Sequence, residues 1–200
     1  MAYGDYKNLA EFSKKFGIVN KVALAVDSSQ MLEPSDWLKD TLRRNRQLPI
    51  KSEKSRSELI VSPILMEMRE RNNQFFTIYS GDNLNIDEEN GLKGECDFIL
   101  ARDTGTFDVS APIMQVVEAK KNDIEIGIPQ CAAQMLGAKI FNEREGNPTE
   151  IIYGCVTTGD DWLFMKLENK LLLIDSQKYY LGNLNQLLGV FQTIIDYYKK

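Results

Sequence analysis

Histidine is absent from this sequence of 200 residues. An imidazole is the usual proton carrier in Ser-His-Asp and Cys-His nucleophilic catalysis, and it is a frequent ligand of hydrolytic zinc. Nucleases that rely on an imidazole base are excluded for the same reason. Any catalysis by this chain must therefore use carboxylate, lysine and metal chemistry.

Cysteine and long apolar runs are also scarce. Cys96, Cys131 and Cys155 are too few and too widely spaced for a disulfide framework or a zinc site. The amino-terminal residues contain no apolar signal core, and no uncharged apolar stretch is long enough to span a membrane. We therefore expect a cytoplasmic protein that does not contact a membrane.

The formal net charge of −5 argues against a protein that coats nucleic acid nonspecifically, because neutralised phosphates supply most of the affinity in such proteins. One segment is strongly basic: the stretch from Lys39 to Arg56 contains seven basic residues and only two acidic ones, Asp40 and Glu53. A solvated helix face and loop would explain the segment equally well. The residues that we predict to contact phosphates are Arg43, Arg44, Arg46, Lys51, Lys54, Arg56 and Lys121.

The hydrophobic content of 43% is sufficient for one sizeable core, and the length fits a single domain at 1–200. Apolar periodicity predicts helices within about 1–50 and at 57–72, 128–142 and 184–200. Strand patterns occur at 75–79, 94–101, 114–120 and 150–159, followed by a hairpin at 161–175. The predicted fold class is α/β, with a helical extension at about 1–50 before a core and closing helix at about 55–200.

Acidic and basic side chains occur together on two of the predicted strands. Asp97 lies in the segment CDFILA, and Glu118 and Lys120 lie in VVEAKK about twenty residues later. Because residues two apart in a strand point the same way, Glu118 and Lys120 share a face while Ala119 turns to the other. Carboxylate oxygens suit Mg²⁺, and an adjacent ammonium can activate a water or neutralise a developing phosphorane. The pattern therefore indicates hydrolysis of a phosphodiester.

The order helix, three strands, helix, strand resembles the PD-(D/E)XK nuclease superfamily. The restriction-endonuclease-like core of that family runs αβββαβ, a central mixed sheet flanked by helices, with D…(D/E)xK on its second and third strands. The resemblance covers roughly Glu58 to Thr158. Asp97 matches the metal-binding aspartate of the family, and Glu118 and Lys120 match its ExK, although Cys96 replaces the proline of the motif's name.

Two further residues match positions outside the central motif. Glu58 in SRSELIVSPIL matches the glutamate that many members carry on the preceding helix. Gln130 in QCAAQ matches the glutamine that opens the helix after ExK in some branches. The pattern of those branches is Q-A-x-x-Y, and this chain has Cys131 and Gln134 instead of the alanine and the tyrosine.

The resemblance implies a Mg²⁺- or Mn²⁺-dependent nuclease that hydrolyses DNA or RNA, with DNA as the expected partner. The implied metal ligands are Asp97, Glu118, the main-chain carbonyl of Ala119 and Glu58, the last directly or through water. Lys120 would orient or deprotonate the attacking water, and Gln130 would position the lysine or the water. The closing helix would either pack on the sheet or pair two subunits in a homodimer.

Each of these assignments has a structural alternative. An exposed ExK triplet would be only a surface ion pair, and Asp97 would be a turn residue at a strand end. Glu58 would bond the amide of Ser55 in a capping box, and Gln130 would be an early-turn residue after Pro129.

The function has alternatives as well. The same fold could serve as a noncatalytic module that binds nucleic acid or protein, or the chain could be an unrelated α/β interaction domain. Trp162 and Phe164 are predicted to pack within a hairpin rather than to stack on bases.

Overall fold

Eight strands form one mixed sheet at the centre of the computed structural model, which describes residues 1–200. The order across the sheet is β1-β7-β6-β5-β4-β3-β2. The short strand β8 is an addition to this order and pairs with the start of β6. β1 is parallel to β7 and β4 is parallel to β5, whereas all other pairs are antiparallel. The strands are β1 Val19–Ala23, β2 Phe76–Asn83, β3 Glu95–Arg102, β4 Ile113–Ala119, β5 Ile151–Thr157, β6 Asp161–Glu168, β7 Leu171–Asp175 and β8 Tyr179–Tyr180.

Helices cover both faces of this sheet. The α-helices are α1 Leu9–Phe16, α2 Asp36–Asn45, α3 Glu53–Arg56, α4 Ser62–Arg71, α5 Ile124–Arg144 and α6 Leu184–Tyr198. One apolar cluster joins the sheet to α2, α4 and α6, and a second joins it to α1, α5 and the amino-terminal segment. No helix combines the length and the apolar character needed to cross a bilayer.

The strand β4 lies in the interior of the sheet and is buried on both faces, as its nearly continuous apolar sequence predicts. Its side chains alternate between the two clusters: Val116 packs on the α5 side, and Val117 packs on the α4 and α6 side. Because Glu118 has the same phase as Val116, it points toward α5. The position of the ExK motif relative to the helices is thus set by the strand.

The first fifty residues differ from the helical extension that we expected. Helices α1 and α2 are present, but Val19–Ala23 forms an edge strand that pairs in parallel with Leu171–Asp175. Gly17, at φ 63°, ends α1 in the left-handed conformation that glycine adopts easily. The chain then turns onto the sheet, so this segment belongs to the core fold.

The helical segment before β2 accommodates Pro63 through an irregular turn. A π-helical turn at Ser57–Val61 precedes α4, and Pro63 lies in the first turn of that helix. Proline has no amide hydrogen for the carbonyl of Leu59, four residues earlier. The side-chain amide of Asn45 donates to that carbonyl at 2.8 Å. The sequence allows Pro63 either to kink one helix or to start another; the backbone is helical without a break from Glu53 to Arg71, and Pro63 follows the π-helical turn within that run.

Trp162 and Phe164 pack within the core, as predicted. Both side chains are fully buried, and each makes an edge-to-face contact with Phe191, at centroid distances of 5.7 and 5.1 Å. The indole nitrogen of Trp162 donates to the carbonyl of Gly159 at 2.9 Å. Neither ring has a free face on which a base could stack.

The buried amide of Gln115 on β4 allows a test of how an unpaired polar group affects the stability of the core. It is fully buried, and neither atom of its amide has a hydrogen-bond partner. Because a buried, unpaired amide is unfavourable, Gln115→Met should raise the free energy of unfolding by about 1–2 kcal/mol in urea titrations. Asn142 is the matched control, since its buried amide bonds both main-chain groups of Ile113. Asn142→Leu should lower stability, and stabilisation by both substitutions would contradict this explanation.

Candidate functional site

The side chain of Asp97 on β3 bonds β4 at the ExK motif. The register pairs Phe98 with Val117, so that Asp97 lies beside Glu118 on the same side of the sheet. One carboxylate oxygen of Asp97, Oδ2, accepts a hydrogen bond from the amide of Ala119 at 2.7 Å. The predicted aspartate is therefore held against the predicted ExK strand.

Glu118 is the most deeply buried residue of the motif. Its Oε1 accepts from Nζ of Lys120 at 2.6 Å, and its Oε2 accepts from Nε2 of Gln134 at 2.7 Å. The side chains of Glu118 and Lys120 are only 3% and 14% exposed. The alternative of an exposed surface ion pair is therefore wrong for this triplet.

Lys120 is held at the end of β4 by contacts along its whole length. Its amide donates to the carbonyl of Thr157 at 2.7 Å, and its ammonium also donates to Oε1 of Gln130 at 3.1 Å. Gly127 allows α5 to approach the lysine stem, because a Cβ at this position would lie 3.0 Å from Cγ of Lys120. The ammonium is thus fixed by the sheet and by α5.

Gln130 and Gln134 both reach the motif from α5. They are four residues apart and so lie on one face of the helix. The helix begins at Ile124, earlier than predicted, because Asp123 caps it by accepting from the amide of Glu125 at 2.8 Å. We had not predicted Gln134 as a site residue, although its spacing from Gln130 was the available signal.

Burial and charge shift the proton affinities in the site. Burial raises the pKa of Glu118 from 4.5 to about 7, and the negative charge of Asp97 adds to this effect against Lys120 and Gln134. Burial also raises the pKa of Asp97, partly offset by the amide of Ala119. Burial lowers the pKa of Lys120, but the charge of Glu118 and its hydrogen bond raise that pKa above its ordinary value. Two carboxylates thus share one ammonium.

Glu58 is not brought to this site. Its side chain is 61% exposed, and its nearest charged partner is Nζ of Lys54 at 3.9 Å. The predicted capping box is not formed either, because the amide of Ser55 donates to Oγ of Ser52 at 3.0 Å instead of to Glu58. The site prediction for Glu58 therefore requires correction.

Glu53 lies five residues before Glu58 and is the glutamate that approaches the motif. Its Oε1 accepts from the amide of Lys121 at 3.3 Å, and its charge raises the pKa of both Asp97 and Lys120. Five helical residues correspond to a rotation of roughly 140° beyond one full turn, so Glu53 and Glu58 cannot face the same way.

The site offers oxygen donors but only a few acidic side chains. No group of three or more histidine, cysteine or acidic side chains converges anywhere in the chain. The oxygens at hand belong to Asp97, Glu118 and the carbonyl of Ala119, which are ligands of the type that Mg²⁺ and Mn²⁺ take. Because two carboxylates face one ammonium, an added cation would relieve the excess negative charge. These oxygens are of the chemical type that such an ion binds, and both carboxylate oxygens of Glu118 already accept hydrogen bonds from Lys120 and Gln134.

The predicted phosphate-contacting residues fall into two groups. Arg43 and Arg44 share the carboxylate of Asp40, each at 2.6 Å. Arg56 is only 17% exposed and donates to the carbonyl of Thr158, beside Asp160. It anchors the start of the helical segment to the turn after β5, so our assignment of Arg56 as a phosphate contact is corrected. The four remaining residues are exposed: Arg46, Lys51 and Lys121 have no carboxylate partner, and Nζ of Lys54 lies 3.9 Å from Oε1 of Glu58.

Comparisons with known proteins do not assign this chain to a family. No protein-family model matches the sequence, and the search of curated proteins gives no significant match.

Proposed function

We propose that the chain is a metal-dependent phosphodiesterase that cleaves nucleic acid, as its resemblance to the PD-(D/E)XK nucleases implies. The observation that carries this proposal is the convergence of Asp97, Glu118 and Lys120 on the α5 side of two adjacent central strands. The order α4, β2, β3, β4, α5, β5 supports it, as does the parallel pairing of β5 with β4.

The burial of these charges favours a functional site over a structural one. Moving a carboxylate into a protein interior is costly unless the charge is compensated, and here one ammonium faces two carboxylates. A pair retained only for stability would not require Asp97 beside Glu118, because each disfavours ionisation of the other. A bound cation would compensate the second charge.

Each residue has a role in the proposed reaction. Asp97, Glu118 and the carbonyl of Ala119 would hold Mg²⁺ or Mn²⁺. The ion, when bound, activates water and polarises the scissile phosphate. Lys120, held by Glu118 and Gln130, orients the attacking water and stabilises negative charge in the transition state. Gln134 fixes the carboxylate of Glu118.

Exposed lysines next to the motif favour a polyanionic substrate. Lys121 directly follows the motif, and its amide bonds Glu53 at the start of α3. Lys51 and Lys54 flank Glu53 and are both exposed. Because the net charge of the chain is −5, phosphate contacts would be confined to this short surface. DNA remains the expected substrate, with RNA as the alternative.

A noncatalytic module that binds nucleic acid or protein is the second candidate. It is favoured by the two hydrogen bonds that already occupy both oxygens of Glu118. It is also favoured by the absence of a third acidic side chain from the cluster.

Metal binding and cleavage, measured together, separate the two candidates. Calorimetry with Mn²⁺ at pH 7.5–8 should detect binding to the unsubstituted protein, and Asp97→Asn should weaken it at least about tenfold because a charged ligand is lost. Glu58→Gln is the control and should bind as the unsubstituted protein does, since Glu58 lies outside the site. If the unsubstituted protein binds Mn²⁺ and nucleic acid but cleaves neither DNA nor RNA, the second candidate is correct. The absence of Mn²⁺ binding would refute the proposed enzyme.

A further inference from the structure

Two buried polar atoms on the α5 side of the sheet have no hydrogen-bond partner in the protein. They are the hydroxyl oxygen of Tyr3 and Oε1 of Gln134. Tyr3 is 1% exposed and Gln134 is 0% exposed. Because leaving such a group unpaired costs about 1–3 kcal/mol, buried polar atoms in folded proteins nearly always have a partner.

Both atoms belong to the same strip of α5. The hydroxyl of Tyr3 lies against Gly137, where an added Cβ would clash with the oxygen. Gly137 follows Gln134 by three residues, and residues at this spacing lie on the same face of a helix. Tyr3 and the apolar residues beside Gln134 belong to one buried cluster.

The two groups are complementary in their hydrogen bonding. A phenol O–H donates, and an amide oxygen only accepts. They do not bond each other directly. A buried water needs polar partners on at least two sides. One water could accept from Tyr3, donate to Gln134 and satisfy both atoms.

We propose that a buried water molecule joins the hydroxyl of Tyr3 to Oε1 of Gln134, and that Tyr3 is thereby a positioning residue for Glu118. The far end of the Gln134 amide donates to Oε2 of Glu118 at 2.7 Å. A reversed amide would place its oxygen against that carboxylate. A donor at Oε1 stabilises the productive orientation, so the amino-terminal segment acts on Glu118 through three hydrogen bonds in series.

The effect of Tyr3 on metal affinity rests on the proposed function, whereas the bridging water does not. Tyr3→Phe preserves the ring and removes the donor. It should weaken Mn²⁺ binding about 3- to 10-fold, less than the 10- to 100-fold typical of groups that bond a metal ligand directly. Tyr6→Phe is the matched control, because the hydroxyl of Tyr6 donates to the carbonyl of Asn90 and does not bond Oε1 of Gln134. Tyr6→Phe should leave Mn²⁺ affinity unchanged.

A double-substitution cycle tests the connection itself. Gln134→Met removes the amide, so adding Tyr3→Phe to it should weaken Mn²⁺ binding no further. Losses that multiply in the double variant would overturn the coupling.

A high-resolution crystal structure of the metal-free protein gives an answer that is independent of the nuclease proposal. Density for one water between Tyr3 and Gln134, lost in Tyr3→Phe, is the expected result. A site without that density would overturn the inference even if Mn²⁺ binds. If Mn²⁺ does not bind but the water is present, the proposed function fails and the bridge stands.

Discussion

Lys120→Ala is expected to reduce Mg²⁺- or Mn²⁺-dependent cleavage of DNA by at least about 100-fold, because it removes a charge that acts in the transition state. Substrate binding should change little, since the ammonium is mostly buried and already bonded to Glu118 and Gln130. Single-turnover cleavage at saturating enzyme measures the chemical step, and a binding assay in Ca²⁺ measures affinity separately.

Lys121 supplies the matched control for this substitution. It is the next residue in the chain, its side chain is exposed, and only its amide contacts Glu53. Lys121→Ala should weaken nucleic-acid binding and lower the slope of log affinity against log salt by about one, as expected for one lost phosphate contact, with cleavage of bound substrate unchanged. If Lys120→Ala cleaves as well as the unsubstituted protein, the mechanism proposed for the lysine is wrong.

Stability without divalent cations should fall as the pH rises from about 5 to 8. The pKa of Glu118 is raised from 4.5 to about 7 in the folded protein by burial and by Asp97, so the folded state binds this proton more tightly than the unfolded chain does. The resulting stabilisation is complete below pH 4.5 and is lost as the pH rises through about 7. Its full size is about 3 kcal/mol, measurable by urea unfolding at a series of pH values.

Glu118→Gln is the control for this pH dependence. The amide cannot ionise, so the variant should show a much smaller loss of stability across the same range. Mg²⁺ or Mn²⁺ should restore stability to the unsubstituted protein at pH 8, because an ion that binds only the folded state stabilises it. A pH profile that is the same for both proteins would show that Glu118 does not titrate in this window.

The central part of the site was predictable from local patterns. The two-residue period of a strand places Glu118 and Lys120 on one face, and the buried run before them predicts a central strand. Asp97 then needs only an antiparallel neighbour to lie beside Glu118. The contact of Gln130 with Lys120 was likewise accessible, since the helix that follows the motif packs on the same face.

Other features depend on the direction in which helical side chains point and on long-range contacts, which a sequence does not reveal. A π-helical turn and a five-residue spacing decide that Glu53 rather than Glu58 approaches the motif. Arg56 resembles any exposed basic residue until the turn after β5 folds against it. β1 is a short segment whose partner strand lies far away in the chain.

The pairing of β1 with β7 also constrains the order of folding. Val19 and Leu171 are partners, roughly 150 residues apart, and contacts of such long range are formed at a high cost in chain entropy. During synthesis the edge strand has no sheet to join until β7 has left the ribosome. Tyr3 packs against Gly137 of α5 and so does not depend on β7, whereas β1 does, and a fragment that ends before Leu171 should leave β1 open to proteases.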